Sequence, residues 1–423
     1  MSQPFLPMDV PAVRAQGNNT TTFTDNMRLP VHRWFRYSAG FSAGWAETVV
    51  EATEARRVLD PFGGSGTTVL AAEAVGAEAV GVDVHPFVTR VARAKLAWRS
   101  DPEVLLMRAA DVRLEVKQQR AVAEPTSPLV VKCFPDRGAL LDLLRLRDAV
   151  ERLRQGDDYD ELLWLAFISI IRACSPAGTA QWQYVLPNKT KARVAEPVSA
   201  FESRVELFAQ DMFTMRDHVG SPRGQVYESD ARTLDTLNDG WADLVLTSPP
   251  YANNFDYADA TRLEQSVLGE VNGWGDLKPL RKRLMRSATQ HMSGWDAAEA
   301  LESPLLQAVR GELTQTFQTL AQVKQERGGK KAYDLMVAGY FFDSAQIFQA
   351  LRRVSAPGVT VCYVVGDSAP YGVHVPVERW LGELALASGF RKWRFEKVRD
   401  RNTKWKNRKH THPLHEGRLW IEG

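Results

Sequence analysis

Two successive prolines, Pro249 and Pro250, close the apolar run Ala242-Asp243-Leu244-Val245-Leu246. A proline cannot donate to a central ladder or extend a helix, so a buried strand that reaches this pair must stop there. Thr247-Ser248-Pro249-Pro250-Tyr251 is then a rigid corner at a strand's C-terminal end, offering a hydroxyl, fixed carbonyls and an aromatic face. In open parallel sheets, ligands bind outside that end of the strands. A proline-rich turn capped by a packed tyrosine is the plainer reading of the same five residues.

A second strand signal, residues 57–62, runs into Gly63-Gly64-Ser65-Gly66-Thr67-Thr68 and then a helical stretch over 69–75. Glycines there permit a tight turn with backbone close to a ligand. A nicotinamide dinucleotide loop is a competing reading that the spacing disfavours, since after Gly64-x-Gly66 the third glycine position holds Val69. The turn is not a P-loop, since no Gly-Lys-Ser/Thr follows. The next strand, 79–84, contains Asp83 near its end, where a carboxylate can accept both hydroxyl hydrogens of a ribose. Glycine turn and Asp83 together point to a cofactor that contains adenosine, against a merely structural turn.

The α/β alternation stops at residue 101. Apolar residues recur at helical spacing over 138–153, 159–174 and 198–218, with a loop at 175–197 that carries Trp182, Tyr184, Lys189, Lys191 and Arg193. This reads as a helical insertion, for packing, dimerisation or nucleic-acid contact. Strands resume at 225–230, ending in Asp230, and at the Pro-Pro corner, after which Asn253-Asn254-Phe255-Asp256-Tyr257 leads into a helix to 268. Helical spacing follows over 297–327 and 333–354, then a strand at 359–365, a helix at 377–388 and strands near 391–398 and 418–421. Two basic runs stand out. One holds Lys278, Arg281, Lys282, Arg283 and Arg286 with no acid between Asp276 and Asp296; the other holds Arg399, Arg401, Lys404 and Lys406 beside Trp405. Each is a solvated face or a phosphate contact.

The whole chain has 25% charged residues and a net charge of +2, so any nucleic-acid affinity must come from where charge is placed. No apolar run reaches the ~18 residues of a membrane helix. The N-terminus lacks the order of a signal peptide, and Cys133, Cys174 and Cys362 show no metal-ligand spacing. A cytoplasmic protein without a metal is expected.

In combination, Asp60-Pro61-Phe62-Gly63-Gly64-Ser65-Gly66-Thr67 and Thr247-Ser248-Pro249-Pro250-Tyr251 resemble the cofactor loop and catalytic motif of the S-adenosylmethionine-dependent DNA amino-methyltransferases. The resemblance covers 32–99 and 225–270 closely and 333–423 loosely. It extends to residues 36–46, similar to the segment that closes over the methionine end of the cofactor. The long helical block departs from the family's usual motif arrangements. The fold implied is α/β: a Rossmann-like methyltransferase sheet with helices on both faces, plus helical insertion. Its parts are the cofactor half of the core at 28–100, the insertion at 101–224, the catalytic half at 225–270, a basic loop with helices at 271–330 and the end of the core at 331–423.

By that resemblance Asp60, Phe62, Gly63, Gly64, Gly66 and Thr67 line the cofactor, Asp83 holds its ribose and Asp230 approaches its adenine amine. Ser248 and the Pro249 carbonyl, at the Pro-Pro corner with Pro250, accept the hydrogens of an exocyclic base amine, and Tyr251 stacks on a base flipped from double-stranded DNA. A leading serine favours cytosine N4, whereas aspartate is commoner where adenine N6 is methylated, so N6-adenine is the alternative. Further rivals are an RNA base methyltransferase and a catalytically silent relative. The absence of a Pro-Cys pair argues against methylation at cytosine carbon. A cognate restriction nuclease is a candidate partner; the oligomeric state is not set by these residues.

Overall fold

Among the described residues, nine strands follow in chain order: β1 (Arg57–Asp60), β2 (Glu78–Asp83), β3 (Ala177–Thr179), β4 (Val185–Thr190), β5 (Gln225–Glu228), β6 (Ala242–Thr247), β7 (Ser355–Gly366), β8 (Lys392–Arg401) and β9 (Leu414–Glu422). The computed structural model describes residues 25–37, 40–180, 184–216, 220, 222–401 and 413–423. Seven strands form one sheet in the order β5-β2-β1-β6-β7-β9-β8. The first five are parallel, as strands joined through helical crossovers must be, while β9 runs antiparallel between β7 and β8. The chain leaves β1 toward β2 and β5 on one side and returns to β6 and β7 on the other. That reversal opens a crevice beyond the carboxyl ends of β1 and β6.

The edge strands β5 and β8 carry polar and charged residues, whereas the central strands β1, β6 and β7 are buried on both faces. Their alternation separates two cores. Val58, Leu244, Leu246 and Cys362 face one; Leu59, Val245, Val361 and Tyr363 face the other. On the first face the sheet core continues into the helical block through Leu105, Leu143, Phe167 and Phe208, so the block thickens that layer rather than enclosing a core of its own. Its helices are Pro102–Lys117, Pro128–Cys133, Arg137–Arg152, Asp158–Cys174 and Pro197–Thr214. The second face is covered by Tyr333–Val354 and Val377–Ala387, with Phe341 and Trp380 edge to face at 4.9 Å.

Three local expectations need correction. The stretch 175–197 is not all loop, since β3 and β4 pair antiparallel within it. The helical pattern over 297–327 breaks at Ser303-Pro304, giving helices Ala298–Glu302 and Arg310–Glu326, because proline cannot continue the ladder. Strand β8 runs on to Arg401, so part of the second basic run is strand.

The ends of β1 and β6 are fastened by one buried carboxylate. Asp60, 3% exposed, accepts the hydroxyls of Thr247 and Thr68 at 2.6 Å each and the N–H of Phe62 at 3.0 Å. Asp60→Ala strands these donors around a small void and should cost ~1–3 kcal/mol. The check is a lower denaturant midpoint at unchanged slope; an unchanged midpoint would show that the knot does not hold the strands together.

Candidate active site

The glycine turn is built from both sides of the crevice. Gly63 donates its N–H to the Val82 carbonyl at 2.8 Å, which draws the turn over the end of β2. A Cβ on Gly63 would stand 3.3 Å from the Cα of Gly81, so two glycines let the turn and the strand touch. Gly66, at φ +85, ends the turn in the left-handed region and caps the helix Thr67–Ala74. Gly81 was not singled out in the sequence, although a glycine inside a strand signals this kind of close approach.

Asp83 is shared between turn and strand end. It accepts the N–H of Gly64 at 3.0 Å and of His85 at 2.9 Å, which leaves lone pairs on both oxygens facing the cleft. Burial pushes its carboxyl up to about 6, against the pull of those two N–H groups. Asp60 is likewise pushed up to about 6 by burial, with its hydroxyl and backbone donors opposing. His85 is driven down to about 4 by burial and is neutral at ordinary pH.

The Ser-Pro-Pro corner opens into the same space. A cleft is lined by Gly63, Gly64, Thr67 and Asp83 on one side and by Ser248 and Pro250 on the other. Asp60 and Phe62 form part of its wall, and Tyr37, Phe41 and Tyr257 close it over. Ser248 donates its hydroxyl to the Val364 carbonyl in a long contact of 3.5 Å, and the Tyr251 hydroxyl lies within hydrogen-bonding reach of it. Pro249 is buried; Tyr251 is half-buried beside the corner, with the Arg401 guanidinium 5.3 Å from its ring centroid. Tyr37 is held in place from afar: Asp211, on Pro197–Thr214, accepts the N–H of Val31, the Arg33 guanidinium and the Trp34 indole.

Asp230 is not brought to this cleft. Arg232 holds its carboxylate through three contacts of 2.6–3.0 Å, and the pair faces a separate open depression shared with Arg286 and Arg353. The expectation that Asp230 reaches an adenine amine gains no support from this placement, since its carboxylate is paired with its neighbour two residues along.

The basic run at 278–286 divides. Arg281 turns inward to Asp256, and Arg286 to Asp343, so neither is a free solvated charge. Arg283 pairs with Glu228 at 2.7 Å on the surface. Lys278 and Lys282 are exposed one helical turn apart on Lys278–Arg283. In the second run Arg399 pairs with Glu416 at 2.8 Å, Arg401 donates to the Asp367 carbonyl, and Lys404 and Lys406 lie outside the described residues. Among the described residues no group of three metal-ligating side chains occurs, and no helix is long and apolar enough to cross a membrane.

A family model described as a DNA methylase, of N6/N4 methyltransferase type, matches residues 16–94. Over nearly the whole length, the chain is similar to three Type II methyltransferases. It is 24% identical to M.BsoBI of Geobacillus stearothermophilus, covering 88% of this chain and 80% of that one. It is 22% identical to M.AvaI of Anabaena variabilis, covering 87% and 81%. With M.MvaI of Kocuria varians the identity is 22%, covering 85% and 82%.

The divided basic run gives a measurable expectation. Exchanging both Lys278 and Lys282 for glutamine should lower the log–log slope of DNA affinity against salt by about 2, one for each lost phosphate contact. An unaltered slope would make that helix an ordinary solvated surface.

Proposed function

We propose that this chain, an S-adenosylmethionine-dependent DNA amino-methyltransferase of the N6/N4 type, methylates the N4 amine of cytosine at a short specific site in duplex DNA. The observation that carries the reading is the single cleft into which the glycine turn, Asp83 and Ser248 all open. The turn fits the cofactor: glycine backbone lies close to the space, Asp83 keeps acceptor capacity, and Tyr37 and Phe41 give it an apolar cover. Gly63, Gly64 and Gly66 would hold the methionine end, beside Thr67 at the start of a helix, and Asp83 the ribose. When bound, the cofactor supplies a methyl group already activated by its sulfonium, so no metal is needed for that step.

The protein's own task is the amine. Its lone pair is delocalised into the ring, so it reacts only as the nitrogen pyramidalises. Ser248 Oγ and the Pro249 carbonyl, on a corner that cannot flex, are the acceptors that favour that shape. Tyr251 would stack on the base once it has left the duplex, where pairing otherwise buries the amine. Arg401 beside that ring supplies a cation close to the same place. Serine at the head of the motif supports cytosine over adenine. Lys278, Lys282 and the helical block at 101–224 are the elements we assign to holding the DNA. The Type II names of the relatives support a cognate restriction nuclease as partner.

Two outcomes follow. Asp83 keeps its proton up to about pH 6, instead of losing it near 4, so it turns from acceptor to acid as pH falls through 6. Cofactor affinity should therefore drop below that pH, by up to ~tenfold per unit. Asp83→Ala should cost roughly 1.5–3 kcal/mol of cofactor binding and flatten that pH dependence. Calorimetry at pH 5 and pH 8 checks both, and equal affinities would remove Asp83 from the ribose.

Ser248→Ala should bind cofactor normally yet lose ~10²–10³ in methylation rate, the usual effect of deleting one preorganised acceptor. Mass spectrometry of nucleosides from treated DNA and RNA names the product. N4-methylcytosine supports the reading; N6-methyladenine keeps the site and overturns the base; product in RNA alone overturns the substrate.

A further inference from the structure

The run Asn253-Asn254-Phe255-Asp256-Tyr257 follows the Ser-Pro-Pro-Tyr corner directly, and methyl transfer as described leaves it without a task. It is a segment tied down from several sides. Asn254, in the left-handed region at φ +66, accepts the N–H and hydroxyl of Thr289 at 2.9 and 2.7 Å. Phe255 packs against the rings of Tyr184, at 5.3 Å, and Tyr257, at 4.5 Å; Tyr257 lines the cleft.

Asp256 is the centre of the knot. Only 2% exposed, it accepts Arg281 Nε at 2.9 Å and Nη2 at 2.6 Å, with His291 Nε2 3.5 Å away. Its own N–H donates to the Tyr184 hydroxyl at 2.7 Å. Arg281 lies on the basic helix Lys278–Arg283, and Tyr184 directly precedes β4 in the helical block. One residue thus joins the loop after the corner to two elements assigned to DNA, through its carboxylate to Arg281 and through its backbone N–H to Tyr184. Both guanidinium nitrogens converge on the one oxygen Oδ2, and the desolvation of so buried a charged pair makes it better at specifying an arrangement than at stabilising it.

We propose that Asp256 is a positioning residue for methyl transfer. Paired with Arg281, it fixes the loop behind Ser248–Tyr251 against the basic helix, so that DNA held by Lys278 and Lys282 meets a corner already in register. Arg281 is accordingly an internal clamp and not a phosphate ligand: its side chain is 11% exposed, while both lysines face solvent. The inference rests on the DNA methyltransferase reading and holds for either base.

The test uses the full chain with Asp256→Asn, Arg281→Gln, the double variant and the milder Tyr184→Phe. Four quantities are measured: single-turnover methylation at saturating DNA and cofactor, cofactor affinity, DNA affinity with its salt slope, and thermal midpoint. Asp256→Asn and Arg281→Gln should each slow methylation ~10–100-fold, as expected from a displacement of about 1 Å at a reacting centre. Both affinities should stay within about twofold, and the double variant should be no slower than the slower single, as for groups that act as one unit. Tyr184→Phe keeps the ring contact with Phe255 and should slow the reaction by roughly threefold, so it reads the role even if a charge variant folds poorly. Wild-type rates in Asp256→Asn or Tyr184→Phe overturn the proposal. So does a rate loss that only tracks lost cofactor binding or melting, and a reduced salt slope in Arg281→Gln would return that residue to the phosphates. If the unaltered chain methylates no DNA base, the enzymatic reading fails instead.

Discussion

The carboxylate of Asp60 makes the cleft possible. It stands where the chain order reverses, and its two hydroxyl partners come from the end of β6 and from the helix behind the glycine turn. The strand that carries the turn and the strand that carries the Pro-Pro corner are thereby held at one height. Hydrogen bonds across β1 and β6 reach only the pairs Val58–Leu244 and Leu59–Val245. Beyond them Asp60 takes over from the ladder. An acid in that place is costly, as its upward pull to about 6 records, and three donors offset the cost.

Around this point the charged side chains take two directions. Most arginines near the site are turned inward and paired: Arg281 with Asp256, Arg286 with Asp343, Arg232 with Asp230, Arg172 with Glu264. A guanidinium can meet a carboxylate in a fixed fork, so arginine suits joints between loops, whereas the ammonium of lysine hydrates readily and remains outside. Lys278 and Lys282 on the same short helix as Arg281 show both habits at once. The basic character of such a run is thus partly internal bracing and partly an outward face.

The helical block contributes to the site by reach rather than by lining it. Through Asp211 it orders residues 31–34, which lead to Tyr37 above the glycine turn, and Trp34 stacks on Phe208 at 4.2 Å. Through Tyr184 it touches the loop after the corner. Both contacts join residues far apart in the chain, about 180 positions in the first case.

What the sequence determined by itself was local chemistry. Pro249-Pro250 had to end a strand, Gly63–Gly66 had to be a turn, and Asp83 had to stand near the end of the next strand, because each follows from backbone constraints within a few residues. Placing those ends side by side needed only the rule that parallel α/β sheets bind ligands where their strand order reverses. The tertiary structure alone decided which charges are spent. Asp230 carries the same side chain as Asp83 two residues past the end of a neighbouring strand, yet an arginine two residues away occupies it. Arg281 and Lys282 are adjacent in one basic run, yet one is an internal clamp and the other faces solvent. A side chain's availability depends on partners brought in from distant segments, and no periodicity or local spacing encodes that.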